Sequence, residues 1–348
     1  MTGDEMSATA VPSIGASTKT PTVDLSSRVK RVGEHVAAPV LAACAIFSGA
    51  LVTLVIAYVF RYAAPLFATQ GLAFVTTGDW DTAIDIAWSE SAVVFGALPL
   101  IIGTTLTTLG ALAVSVVLGL GCAIFIAELA PDWLRTPLES VVQLMAGIPS
   151  VVFGLVGLAV VVPVLTKLVP ADAMDVVPDV PLEGASLLAG VLVLSFMILP
   201  FFVTVAVDSL RAVPRGFFEG GLALGMHRWR AITRIQVPAA APGLLAGAVL
   251  AAARAIGEAI ALSMVAGSIA FIPSMEWGVQ YFPFMPIRTM ASAIVETGGE
   301  AMSIPDIEAA LFGLAALLLV ASLSLSLFAR WIVDWYRRRL SLDTGRSL

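Results

Sequence analysis

The chain has 348 residues, 59% of them hydrophobic and 13% charged, with a formal net charge of −6 and a mean hydropathy of +0.96. Soluble domains carry about a quarter charged residues, so the composition excludes an ordinary soluble fold and points to a polytopic protein of the lipid bilayer; nucleic acid is not an expected partner. Apolar runs past 20 residues suit membrane-spanning helices, and the alternating ten-residue segments of a β-barrel are absent.

Residues 1–35 are rich in Ser, Thr, Pro and Gly without apolar periodicity, which predicts a disordered tail. A cleavable signal is not expected, because some 35 polar residues precede the first apolar run and that run, 36–60, is full span length. A loop over 61–96 follows, then a core over 97–335 with spans at 97–127, 138–168, 185–207, 243–269 and 307–333, and a basic tail over 336–348. The expectation is an all-α bundle of six transmembrane helices. Cys44 and Cys122 both fall inside spans and read as apolar packing rather than a disulfide.

Lysine and arginine set the orientation. Fifteen of the 19 lie in the first tail, the second-to-third loop, the fourth-to-fifth loop and the C-terminus, against three (Arg61, Lys167 and Arg288) on the other side. Both termini are therefore expected in the cytoplasm and the 61–96 loop outside the cell membrane. Thirteen acidic residues, among them Asp79, Asp81, Asp85 and Asp172, give the outer face a net charge of −10.

In the second span, threonines 104, 105, 107 and 108 are expected to bond backbone carbonyls, with a path-lining role as the alternative. The third span contains Gly147-Ile148-Pro149-Ser150, where proline removes a backbone donor and disfavours helix at the residue before it. A kink or break is expected, read either as a constriction of a pathway or as a structural bend; Ser150 is a candidate path residue.

The fifth span carries Gly243, Gly247, Ala251, Ala255 and Ala259 at four-residue spacing, a ridge that lets another helix approach closely. Arg254 and Glu258 occupy an adjacent face. A charge near the bilayer midplane costs roughly 3 kcal/mol, which makes the pair a functional candidate. The two can neutralise each other as an ion pair or face a central seam together.

Between the fourth and fifth spans, the loop over 208–242 is ordered by Pro214, Glu219, Gly225 and Pro238. A short helix from 217 to 224, a break at Gly225, a second helix from 228 and a start of the fifth span at Pro238 are expected. Glu219-Gly220-Gly221, three residues, Gly225, nine residues, then Ile235-Gln236-Val237-Pro238 is similar to the EAA signature of ABC-importer permeases, with Gly220 and Gly221 in place of alanines and Val237 in place of leucine. Three further segments, residues 146–154, 254–259 and 288–296, resemble the phosphate-specific transport permeases, and the extra N-terminal span with Gly78-Asp79-Trp80 leans toward the PstC-type subunit.

The resemblance covers about residues 36–335 and implies a type I ABC importer permease fold. It also implies partners: a second, PstA-like permease, two copies of a PstB-like cytoplasmic ATPase and a PstS-like external phosphate-binding protein. Its coupling loop to the ATPase would include Glu219, Gly220, Gly221, Gly225, Ile235 and Pro238, and its substrate path Arg254, Glu258 and Ser150.

The chain has no Gly-x4-Gly-Lys-Ser/Thr run, and its lysines are Lys19, Lys30 and Lys167, so ATP is expected to be used by another polypeptide and no cofactor by this one. Neither a His-Glu-x-x-His metal site nor a catalytic site is expected; His35 and His227 read as solvated loop residues. Transport of inorganic phosphate is the leading reading. A permease for sulfate, molybdate or a phosphonate, a membrane phosphate sensor, and an intramembrane enzyme are the alternatives.

Overall fold

The computed structural model describes residues 25–89, 93–177 and 180–344. The chain divides into two compact units, Met1–Ile56 and Ala57–Leu348. In the first, every described side chain from 39 to 56 is exposed. Such an apolar surface is stable against lipid or another apolar protein, not against water.

In chain order the helices are α1 (Leu25–Gln70), α2 (Ala73–Thr76), α3 (Trp80–Ala87), α4 (Leu98–Ile124), α5 (Asp132–Ala146), α6 (Ser150–Val156), α7 (Val162–Thr166), α8 (Ala173–Val176) and α9 (Leu187–Arg211). They continue with α10 (Arg215–Ala223), α11 (Arg228–Ala231), α12 (Val237–Ile256), α13 (Ile260–Val265), α14 (Met290–Thr297) and α15 (Pro305–Thr344). Among the described residues there is no β-strand, and one isolated bridge joins Gly267 to Ile287. Among the described residues five helical segments are long and apolar enough to cross a membrane, or six where the bent α5/α6–α7 pair counts as one span. The all-α membrane bundle expected from the sequence is what forms.

Two boundaries differ from expectation at the N-terminal end. Helix α1 begins at Leu25, so residues 25–35 are helical rather than disordered, while 1–24 lie outside the described residues. It also runs on to Gln70, and α2 and α3 follow, so the expected outer loop is largely helical. Phe74, Trp80 and Phe95 are fully buried there with Leu66, Leu100 and Ile307, giving that region an apolar core of its own.

Helix α9 is the centre of the bundle. It packs against α4, α5 and α12, and buries Leu194, Ile198, Phe202 and Ala206. The small-residue ridge of α12 lies on it, since a Cβ on Gly243 would fall 2.2 Å from Ser209 Oγ and one on Gly247 3.1 Å from Val205. Ser115 Oγ of α4 donates to the Ser195 carbonyl at 2.8 Å, a buried cross-helix bond of the kind that fixes register where water cannot compete.

Of three π turns, Phe125–Leu129, Gly157–Val161 and Ile232–Gln236, the last two share one cause. Each is continued as α-helix through a proline, Pro163 or Pro238, whose ring lacks an N–H and collides with the carbonyl four residues back. That carbonyl belongs to Ala159 or Arg234, inside the π turn in both cases, where the wider turn takes up the collision. Pro238 therefore does not open the fifth span as expected; the helical run starts at Arg228 and passes through it to Ile256.

Candidate functional site

Two spans are broken, and the breaks lie side by side. After α5, Gly147 caps the helix and Pro149 takes an extended conformation, so that the chain turns by 93° into α6. The fifth span, expected as one helix over 243–269, ends at Gly257 and resumes as α13 at Ile260. A Cβ on Gly154 would lie 2.8 Å from Met264 Sδ and 2.9 Å from Ala261 Cα, and one on Gly157 2.8 Å from Val265. This register makes α6 and α13 parallel and puts their starts, Ser150 and Ile260, at the same end.

The break separates the two charges that the sequence places one helical turn apart. Glu258 is only 5% exposed, and its Oε1 accepts the Ala261 N–H at 3.1 Å, meeting a backbone donor at the start of α13. Arg254 is exposed in the last turn of α12, with its guanidinium carbon 5.7 Å from the centre of the Phe201 ring, within reach of a cation–π attraction. No ion pair joins the two among the described residues, so a shared face on one helix is replaced by one charge before the end of α12 and one in the break after it. Ser150, half-buried, opens the neighbouring half-helix. Thr104 and Thr107 bond carbonyls of their own helix at 2.7 Å, and Thr104 Oγ1 also receives the Met290 N–H at 2.9 Å.

At the end of the bundle that carries Glu128 and Arg211, the loop after α9 forms a short helix, α10, with Pro214 before its first turn. Gly225 follows with φ +81°, a left-handed conformation that costs an L-residue roughly 1–2 kcal/mol. Gly221 is buried, and a Cβ there would stand 2.6 Å from Ile235 Cδ1, so glycine at this second alanine position of the motif lets α10 lie against the π turn. Glu219, Gly220 and Pro238 are exposed. Phe217, Leu224 and Trp229 are exposed too, at 58%, 87% and 55%, an apolar surface on a polar loop. His227 is exposed as expected, and its Nδ1 accepts the Trp229 N–H at 3.3 Å as the cap of α11. The segment is tied to the bundle by Arg228 Nη2, which donates to the Glu128 carbonyl at 2.7 Å, and by Gln236, which donates to the Glu128 carboxylate and, at 3.3 Å, to the Leu210 carbonyl.

The sequence does not bring together a third group, at the other end of the bundle. Arg288 is 17% exposed and lies between Asp81, with which Nη1 bonds, and Glu296, whose Oε2 is 3.0 Å from Nε. The latter contact is an ion pair without a directed N–H bond. Ser268 Oγ is 2.7 Å from Glu296 Oε1 and donates to it, and the Ala270 N–H is 2.8 Å from Asp81 Oδ2. Burial pushes the Glu296 carboxyl above its ordinary range; the Ser268 bond and the Arg288 charge oppose this, and Asp81 adds to it. Asp81 and Arg288 are 207 residues apart, a separation that leaves no local signature.

Comparison with known proteins places this architecture. The model of the family "Binding-protein-dependent transport system inner membrane component" matches residues 115–342. The chain is 34% identical over 261 residues to a probable ABC transporter permease protein, YqgH, of Bacillus subtilis, covering 75% of this chain and 77% of that one. It is 32% identical to the phosphate transport system permease protein PstC of Pasteurella multocida (68% and 72% covered) and 30% identical to the PstC of Mesorhizobium japonicum (80% and 82% covered). A solved chain of the MetNI methionine ABC transporter matches with a TM-score of 0.50 at 16% identity, over 67% of this chain and 93% of that one, which is a likeness of fold alone. The chain is thus a multi-pass membrane protein that belongs to the family of binding-protein-dependent transport system inner membrane components, with the fold of type I ABC importer permeases.

Proposed function

We propose that this chain is the PstC-type permease subunit of an ATP-driven importer that carries inorganic phosphate into the cell. The observation that carries the reading is the identity of 30–32% to PstC phosphate permeases over as much as 80% of the chain. The working assembly adds a PstA-like permease, two copies of a PstB-like ATPase and a PstS-like binding protein. This chain has no ATPase site or cofactor of its own, and ATP is used by the partner. The positive-inside count puts both termini in the cytoplasm and α10 at the ATPase, where Phe217, Leu224 and Trp229 form the docking surface.

Phosphate meets Arg254. The planar guanidinium takes two of its oxygens in charge-assisted bonds, and these strengthen once a second permease covers the exposed face. Glu258 is fixed by the Ala261 N–H beside the path; when ionised it is an acceptor only, so it tolerates the P–OH of a protonated phosphate and repels sulfate, which has no proton to offer. Ser150 opens the half-helix packed alongside.

The test is uptake of radiolabelled phosphate by vesicles holding all four polypeptides, with ATP inside and the loaded binding protein outside. Uptake that needs ATP and exceeds sulfate uptake at least about tenfold is expected. Sulfate or molybdate carried at the phosphate rate would assign another oxyanion, and ATP hydrolysis without uptake would make the assembly a sensor.

A further inference from the structure

A cavity of about 960 Å³ lies away from the broken spans, between the last turns of α1 and the first turns of α15. It is lined by Arg61, Tyr62, Pro65 and Gln70 on one side and by Asp306 and Glu308 on the other. Its walls are fixed. Gln70 donates to the Val93 carbonyl at 2.8 Å and accepts the Phe95 N–H at 3.0 Å, which holds the segment at the back. The rings of Tyr62 and Phe312 are 5.0 Å apart and those of Tyr58 and Phe312 5.7 Å, which closes the floor toward the apolar stretch of both helices. Gly313 lets the helices meet, since a Cβ there would be 2.5 Å from Leu66 Cδ2.

The cavity is thus aromatic on the side of the bilayer core and charged at its mouth. Arg61 ends the apolar run of α1, and Asp306 and Glu308 lie in the first turn of α15, so all three sit where a span leaves the hydrocarbon. Tyrosines at this level bound a headgroup layer. The acids alone have a simpler role, since a carboxylate in the first turn favours the helix dipole. Arg61 has no such role, and it makes no ion pair among the described residues. A cation facing two carboxylates across a cavity of this size matches a ligand with a phosphate next to an ammonium.

We propose that this cavity binds one phospholipid whose headgroup ends in a primary ammonium, of the phosphatidylethanolamine class. Arg61 holds the phosphodiester, and Glu308 with Asp306 accepts hydrogen bonds from the ammonium. An anionic headgroup of the phosphatidylglycerol class meets the two carboxylates with no cation to offer. A phosphatidylcholine carries the right charges, but its methylated nitrogen donates no hydrogen bond. Only the leaflet, the outer one, rests on the orientation proposed above; the headgroup chemistry does not depend on it or on the transported anion.

The experiment is native mass spectrometry of the purified full complex with phosphatidylethanolamine, phosphatidylcholine and phosphatidylglycerol of identical acyl chains. Retention of the ethanolamine lipid at least about tenfold above the other two is expected. Asp306→Asn with Glu308→Gln should lower it to the level of the choline lipid. Because that variant also alters the start of α15, Arg61→Glu is tested beside it; it leaves that helix start intact and should lose ethanolamine and choline lipids together. Equal retention of all three lipids, preference for the glycerol lipid, or a preference unchanged by both variants would overturn the proposal. So would crosslinking from Thr69→Cys that captures another subunit instead of a photoactivatable ethanolamine lipid.

Discussion

Glu258 and Arg254 are separated by a helix break: the carboxylate is buried against the Ala261 N–H, and the guanidinium, four residues earlier, projects from α12 over Phe201. They are not partners, so removing one leaves no buried opposite charge exposed to the full penalty of a broken ion pair. Arg254→Gln is therefore expected to leave assembly intact, as read by co-purification of the complex, and to lower phosphate uptake at least about a hundredfold. Arg254→Lys should recover only part of it, because an ammonium lacks the two-pronged geometry.

Glu258 has a local task that an amide can share. Glu258→Gln keeps an oxygen for the Ala261 N–H and should melt within a degree or two of the native chain, whereas Glu258→Ala leaves that donor unmet and should cost about 0.5–2 kcal/mol. Thermal unfolding in detergent separates the two. Uptake assays then report what the charge does beyond capping, and discrimination against sulfate should fall in the Gln variant.

Gly154→Leu is expected to abolish uptake by wedging α6 from α13. Its Cβ would meet the backbone of Ala261 at 2.9 Å, and no rotamer change relieves a contact with backbone. Gly121→Ala, with nothing within 4 Å of its Cβ, is the matched control and should transport normally.

On the segment between α9 and α12, which we propose docks on the ATPase, Gly225→Val forces a β-branched residue into φ +81° and should leave membrane insertion unchanged while reducing phosphate-stimulated ATP hydrolysis several-fold. Gly221→Leu should do the same by pushing α10 off Ile235, and Ile235→Ala in the same chain should restore part of the loss. Hydrolysis assays with the reconstituted ATPase read both.

Glu296 makes stability depend on pH. Its carboxyl titrates above the ordinary 4.5, so in the window just above that value the folded chain binds more protons than the unfolded one. Its contribution is fully present below 4.5 and is lost as pH rises through the shifted value. Relative to Glu296→Gln, the native chain should lose thermal stability across that window, and a parallel pH profile for the two would count against the assignment.

The six spans, the short helix before Gly225 and the break at Pro149 were legible because apolar length and proline chemistry act locally. The break at Gly257 was not. Ala-rich sequence on both sides reads as continuous helix, and the break depends on Glu258 finding the Ala261 N–H and on α13 packing against Gly154. The Asp81–Arg288–Glu296 group was hidden for a related reason, since its members come from three elements joined only by the tertiary fold. Phe201 beside Arg254 likewise shows no spacing that the sequence alone could connect.

The π turn at Ile232–Gln236 has a consequence for the direction in which Arg254 points. A π turn is an α-helix with one residue added, and its wider turn carries five residues through about the rotation and rise that four make in an α-helix. Deleting one codon within 232–236 would therefore return the segment to plain α-helix and leave Arg254 facing its present neighbours. The same deletion between 244 and 250, past the wide turn, would swing Arg254 by about 100° relative to α10. The wide turn is thus a slack point of the fifth span, where a change of length does not become a change in the aim of the charge.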